Sequence, residues 1–130
     1  MSTDLKTFFA PQLIISDCAA AIKFYEQAFD VKELQRWSND DGSVHVAELS
    51  FDDAIFHIHE PTAKQQNSPV NGVTCIIGVF VNDVHAVVEK AVAAGATIIN
   101  PIQDYDYNYR QGTLVDPFGH QWLIEKKLIG

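Results

Sequence analysis

Cations are scarce in this sequence. Nine Lys and Arg stand against seventeen Asp and Glu over 130 residues, a net charge of -8. A surface of that sign repels a phosphate backbone, so nucleic acid is not an expected partner. The same charge keeps a chain soluble and attracts cationic ligands. The excess is uneven, with eleven acids and five bases in residues 1–65 and six and four in residues 66–130. Cysteine is nearly as rare: Cys18 and Cys75 are the two. Both sit in apolar surroundings without metal-ligand spacing, and both are expected to be reduced, buried thiols. Long apolar runs are missing too. Val73–Val81, the longest, is broken by Thr74 and Gly78 and falls short of a membrane span. Asp4 and Lys6 stand where a signal peptide needs a cleaner pattern, which makes the cytoplasm the expected location and a membrane partner unexpected. GxSxG, P-loop and Cys–His signals are absent, which removes serine-hydrolase and nucleotide-binding readings.

What is present is a globular composition, 47% hydrophobic and 20% charged, carrying an internal repeat. Residues 13–31 (LIISDCAAAIKFYEQAFDV) and 79–97 (VFVNDVHAVVEKAVAAGAT) align at an offset of 66. Asp17 then matches Asp83, Ala20 Ala86, Ile22 Val88 and Ala28 Ala94. Each copy opens as a short apolar strand, Gln12–Ile15 or Ile76–Val81, and meets an Asp suited to cap a helix. Helical spacing puts Ala21, Ile22, Tyr25 and Ala28 on one buried face, and Val84, Val87, Val88 and Ala91 on the other. Gly95 and, more loosely, Asp30 end the helices. Alternation then predicts strands at Val31–Trp37, Ser43–Phe51 and Ala54–His59, and again at Thr97–Gln103, Tyr109–Val115 and His120–Lys126. The expected organisation is two βαβββ modules, about residues 8–60 and 73–127, joined by a polar linker over about 61–72.

Hairpin register places side chains on faces. With Asp52-Asp53 as a two-residue turn, Glu48 faces His57, and Val46, Glu48, Ser50, Ile55, His57 and His59 share one side. The other side collects Ala47, Leu49, Phe51, Ala54, Phe56 and Ile58, fit for cover by a helix. Around Asp116–Gly119, pairing Val115 with His120 puts Arg110, Gly112, Leu114, Gln121, Leu123 and Glu125 on one side. Thr113, Val115, Trp122 and Ile124 fall on the packed side. Glu48, His57, His59, Arg110, Gln121 and Glu125 are therefore expected on a concave, polar-spotted surface. Tyr105, Tyr107 and Tyr109 alternate in DYDYNYR, which presents three rings on one side. They either stack on a flat or cationic ligand, cover the mouth of the cup or make a dimer contact. Trp37 lines the rim or else fills core or interface, and Trp122 belongs to the core.

The tandem modules, the LIISDCAAAIKFYEQAFDV start and the closing GTLVDPFGHQWLIEKK resemble the vicinal oxygen chelate superfamily over about residues 8–127. That group includes glyoxalases, bleomycin-resistance proteins, fosfomycin-resistance enzymes and extradiol dioxygenases. The resemblance implies an α+β fold whose tandem βαβββ modules form a curved mixed sheet, in a homodimer. The family's four metal-ligand positions fall on Ala10, His57, Ile76 and Leu123, and three of these cannot ligate. The resemblance therefore implies metal-independent binding of a small organic ligand, cationic or aromatic, as bleomycin-resistance proteins sequester an antibiotic. No cofactor is expected in that reading. The alternative is a glyoxalase- or dioxygenase-like enzyme in which Glu48 or His57 is the base, with or without a divalent metal displaced onto Glu48, His57 and His59.

Overall fold

The computed structural model describes residues 8–61 and 75–129. Eight strands and two helices follow the repeat: β1 (Gln12–Ile14), α1 (Cys18–Phe29), β2 (Lys32–Ser38), β3 (Val44–Phe51) and β4 (Ala54–His59), then β5 (Ile76–Phe80), α2 (Val84–Ala94), β6 (Thr97–Tyr105), β7 (Tyr109–Val115) and β8 (Gln121–Lys127). They form two four-stranded mixed sheets, β1-β4-β3-β2 and β5-β8-β7-β6. In each the first strand runs parallel to the last and the remaining pairs are antiparallel. The strand boundaries differ from the sequence expectation by two residues at most, at the end of β6. The linker expected over 61–72 lies, from residue 62, outside the described residues.

Local chemistry sets the helix ends. The Asp17 carboxylate accepts from the Ala20 amide, and Asp83 from the Ala86 amide, so each satisfies an orphan donor at a helix start. At the far ends the chain turns through left-handed backbone at Asp30 (φ 54°) and through positive φ at Gly95 (127°). Glycine suits the second position because a β-carbon is strained there.

The helices pack on each other and on one face of each sheet. Ala21, Ile22, Tyr25 and Ala28 are buried as helical spacing requires, joined by Cys18, Phe24 and Phe29. Val84, Val88 and Ala91 are buried on α2, with Val87 partly covered. A single cluster unites the two modules. Phe56 of β4 and Trp122 of β8, related by the offset of 66, meet edge to face at 5.6 Å, and Tyr25 lies against both. Burying rings of this size contributes on the order of 2–3 kcal/mol each. Cys18 is buried as expected, but Cys75 is exposed: it stands just ahead of β5, where among the described residues no layer covers it.

Asp116 ties these parts together. Its Oδ2 accepts from the Tyr25 hydroxyl (2.5 Å) and the Trp122 indole N–H (2.9 Å). Its Oδ1 accepts from the amides of Phe118 and His120. Only 4% of the residue is exposed, so a desolvated charge is held by four donors. This also corrects the register expected for the last hairpin. Winding the backbone around the carboxylate takes one more residue, and Val115 pairs with Gln121, not His120. Every β7 side chain then falls on the opposite face from the one expected. Leu114 is in the core, and Thr113 and Val115 are on the other side. His120 makes a backbone contact, its Nε2 lying 3.1 Å from the Ile14 carbonyl across the modules.

Removing the hydroxyl with Tyr25→Phe is expected to cost about 1.5–3 kcal/mol, the range for a hydrogen bond to a charged group, measured by urea denaturation. Alkali should act on the same core. Burial, then Glu60 and Asp17, push the Cys18 thiol up from 9.0 to about 12. Burial, then Asp116, push Tyr25 up as well. Both protons are held more tightly in the folded chain, so their stabilisation is complete below pH 9 and declines above it. The urea midpoint should fall between pH 9 and 11, and the fall should be shallower in Cys18→Ala.

Candidate functional site

Each sheet has a helix on one face, and among the described residues no helix covers the other. On the first sheet one row crosses all four strands: Gln35, Glu48, His57 and Gln12 stand side by side in register. His57 Nε2 is 3.1 Å from Glu48 Oε2, and both side chains are about one-third exposed or less (27% and 31%). This is the pairing expected from the Asp52-Asp53 turn, which the structure has with Asp52 at φ 52°. The next row holds Trp37, Val46, His59 and Ile14. His59 shares the face but does not join the pair. It is buried, and its Nδ1 lies 3.2 Å from the Glu60 carbonyl. The expected cluster of Glu48, His57 and His59 is thus a pair and a separate histidine. Trp37 is 44% exposed and near the end of β2, a rim position and not a core one.

The second sheet is furnished differently. Its corresponding row, Asn100, Thr113, Leu123 and Gly78, has no titratable side chain. The neighbouring row holds Gln103, Gln111, Glu125 and Phe80, and beyond it Tyr105 and Tyr109 pair across the hairpin beside Lys127. Gln111 Nε2 donates to Glu125 Oε1 at 2.8 Å, and the Tyr107 hydroxyl donates to Gln111 Oε1 at 2.5 Å. The three tyrosines gather as expected, through a hairpin turn and not along one strand. Tyr105 and Tyr107 stack at 5.3 Å, and Tyr107 and Tyr109 lie 5.6 Å apart at 46°. Desolvation, then Tyr105, Asp106 and Glu125, push the Tyr107 phenol up, so it stays a neutral donor at pH 7.

Arg110 is not part of this surface. With the register moved by one residue it pairs with Lys126 instead of Glu125, and it lies on the opposite face. There its guanidinium grips Asp104 through two hydrogen bonds, 2.7 and 3.1 Å, holding that carboxyl below its usual range. Gln121 does reach the expected face, between Ile76 and Val115. Gln111, Gly78 and Phe80 were not singled out from sequence; the true register would have aligned Gln111 with Glu125.

Two cavities flank these rows. The larger, about 740 Å³, opens between the β3–β4 turn and β5 and is lined by Phe9, Phe51, Ile55, Phe56, Val79 and Trp122 among others. The smaller, about 380 Å³, lies between the end of α1 and the start of α2 near the Lys90–Asp30 ion pair. Neither contains Glu48 or His57. The larger is lined mostly by apolar side chains.

A family model for the Glyoxalase/Bleomycin resistance protein/Dioxygenase superfamily matches residues 7–124. The chain belongs to that superfamily. An uncharacterized protein of Mycobacterium tuberculosis is 30% identical over 95% of this chain and 76% of its own length. TioX from Micromonospora sp. ML1 is similar in structure, with a TM-score of 0.74, 26% identity and coverage of 95% of this chain and 98% of that one. The fosfomycin resistance protein FosX from Listeria monocytogenes shares the fold at a TM-score of 0.72 and 15% identity, covering 97% of each chain.

Many members of the superfamily hold a divalent metal, and the residues here do not fit one. Of the four ligand positions only His57 carries a donor; Ile76 is an exposed aliphatic and Leu123 a half-buried one. Among the described residues no three His, Cys, Asp or Glu side chains converge as a metal-binding group. Open, partly solvated pairs contribute little to folding. Glu48→Ala should change stability by less than about 1 kcal/mol in urea denaturation, and Arg110→Ala should leave the urea midpoint essentially unchanged. Arg110→Ala should also leave ligand affinity unchanged, which titration calorimetry with any bound ligand would check.

Proposed function

We propose that the protein binds a small organic ligand without a metal, in the manner of the bleomycin-resistance branch of its superfamily, as a cytoplasmic homodimer. One observation carries the reading. Three of the four positions that would ligate a metal are aliphatic, yet the faces keep Glu48–His57 on one sheet and Glu125, Gln111 and three tyrosines on the other. A surface that has lost its metal donors and kept acids and rings is fitted to recognise a ligand by charge and stacking. The net charge of -8 steers a cationic or aromatic ligand toward it. Exposed Phe8, Phe9 and Ile76 form apolar surface near the free edges of β1 and β5, which supports pairing with a second copy.

An enzyme reading is favoured by one feature, the Glu48–His57 hydrogen bond. It places a carboxylate beside an imidazole on an accessible face, as proton abstraction needs. The two readings separate on a single substitution. In a binding protein Glu48→Gln shifts ligand affinity and nothing else; in an enzyme it abolishes turnover. Titration of metal-free protein with Ni, Zn, Mn and Fe(II) should show no stoichiometric site by calorimetry. Stoichiometric uptake that also depends on His57 would overturn the metal-independent reading.

A further inference from the structure

We propose that Glu125, Phe80, Tyr107 and Tyr109 form an alkylammonium subsite, so that the ligand carries a protonated amine or quaternary ammonium on an apolar body. This deepens the ligand-binding reading and rests on it. The starting point is a carboxylate in an unusual position. Glu125 is 6% exposed, yet among the described residues no Lys, Arg or His lies within ion-pair distance of it. Lys127, two residues along the same face, makes no ion pair with it. The carboxylate therefore keeps one oxygen open with no described counter-charge beside it, and a cationic ligand supplies what these neighbours leave out.

The two oxygens of Glu125 are not equivalent. Oε1 accepts from Gln111, whose amide is oriented by the Tyr107 hydroxyl bonded to its other end. Oε2 accepts nothing from a described residue and points at Gly78, where an added β-carbon would stand 2.8 Å away. A glycine inside a strand forfeits packing; here its bare α-carbon leaves room for the free oxygen. One free oxygen favours a point charge. A guanidinium fork seeks both oxygens of a carboxylate, and one of these is taken.

The rings complete the match. Phe80 stands beside Glu125 in register and meets Tyr109 at 6.1 Å and 66°. Tyr107 adds a third ring, 5.6 Å from Tyr109. Ring faces beside a carboxylate attract an ammonium and its polarised methyl groups. Gly78 and Phe80 also line the 740 Å³ apolar cavity, so a cation held at Glu125 has a place for its hydrocarbon part next to it.

The test compares four probes of one shape on the full chain by calorimetry: benzylammonium, benzyltrimethylammonium, benzylguanidinium and neutral benzyl alcohol. The two ammonium probes should bind about tenfold more tightly than the alcohol and the guanidinium. Glu125→Gln should lower ammonium affinity about tenfold and leave the alcohol unchanged. Tyr107→Phe, at an exposed ring whose loss of the hydroxyl cannot unfold the chain, should weaken ammonium binding through the released Gln111. Equal affinity for ammonium and alcohol, or an unchanged affinity in Glu125→Gln, would overturn the subsite and leave the binding reading standing. Failure of all four probes to bind would count against both.

Discussion

The buried carboxylate of Asp116 is the constraint on which the rest of this structure hangs. A charge at 4% exposure is tolerable only when its lone pairs are met, and here they are met from three directions. α1 of the first module sends Tyr25, β8 sends Trp122, and the turn folds its own amides back. The helix of one module is thereby fixed to the closing hairpin of the other. The register of that hairpin, and with it the identity of the polar face on the second sheet, follows from how the chain must curl to bring those amides inward.

That dependence explains what the sequence revealed and what it hid. The repeat, the Asp caps and the two periodicities are local, so the order of elements and their limits to within two residues could be read directly. The first hairpin was legible to the residue because Asp52-Asp53 is a minimal turn, and Glu48 meets His57 as alternation demands. The last hairpin was not. DPFGH looks like a four-residue turn, but the pull of Tyr25 and Trp122 on Asp116 comes from residues 91 and 6 positions away. Nothing local to the turn announces it. Arg110 was misplaced for this reason alone, and Gln111 was overlooked for the same reason. Cys75 misled differently: an apolar neighbourhood in sequence says nothing about whether another layer arrives to cover it.

The two open faces have diverged in a way that the fold itself does not require. Corresponding rows hold Gln35, Glu48, His57 and Gln12 on one sheet and Asn100, Thr113, Leu123 and Gly78 on the other. Polar chemistry on the second sheet has moved one row along, to Gln111 and Glu125. Duplicated modules tolerate this because side chains on an uncovered face are free of the packing that holds Phe56 and Trp122 in place. Function can therefore wander across the sheet while the core keeps its symmetry.

The core keeps that symmetry only in shape. At the positions related by the repeat, Phe56 answers Trp122 without an indole N–H, and Ala91 answers Tyr25 without a hydroxyl. No second carboxylate is clamped between them. A chain that began as two like halves has placed its one polar anchor on a single side of the axis, and each half now lacks something the other holds. Parting the halves would strand the aromatic surface of Phe56 and Trp122 and uncover the Asp116 carboxylate, so two similar copies stand or fall as one unit.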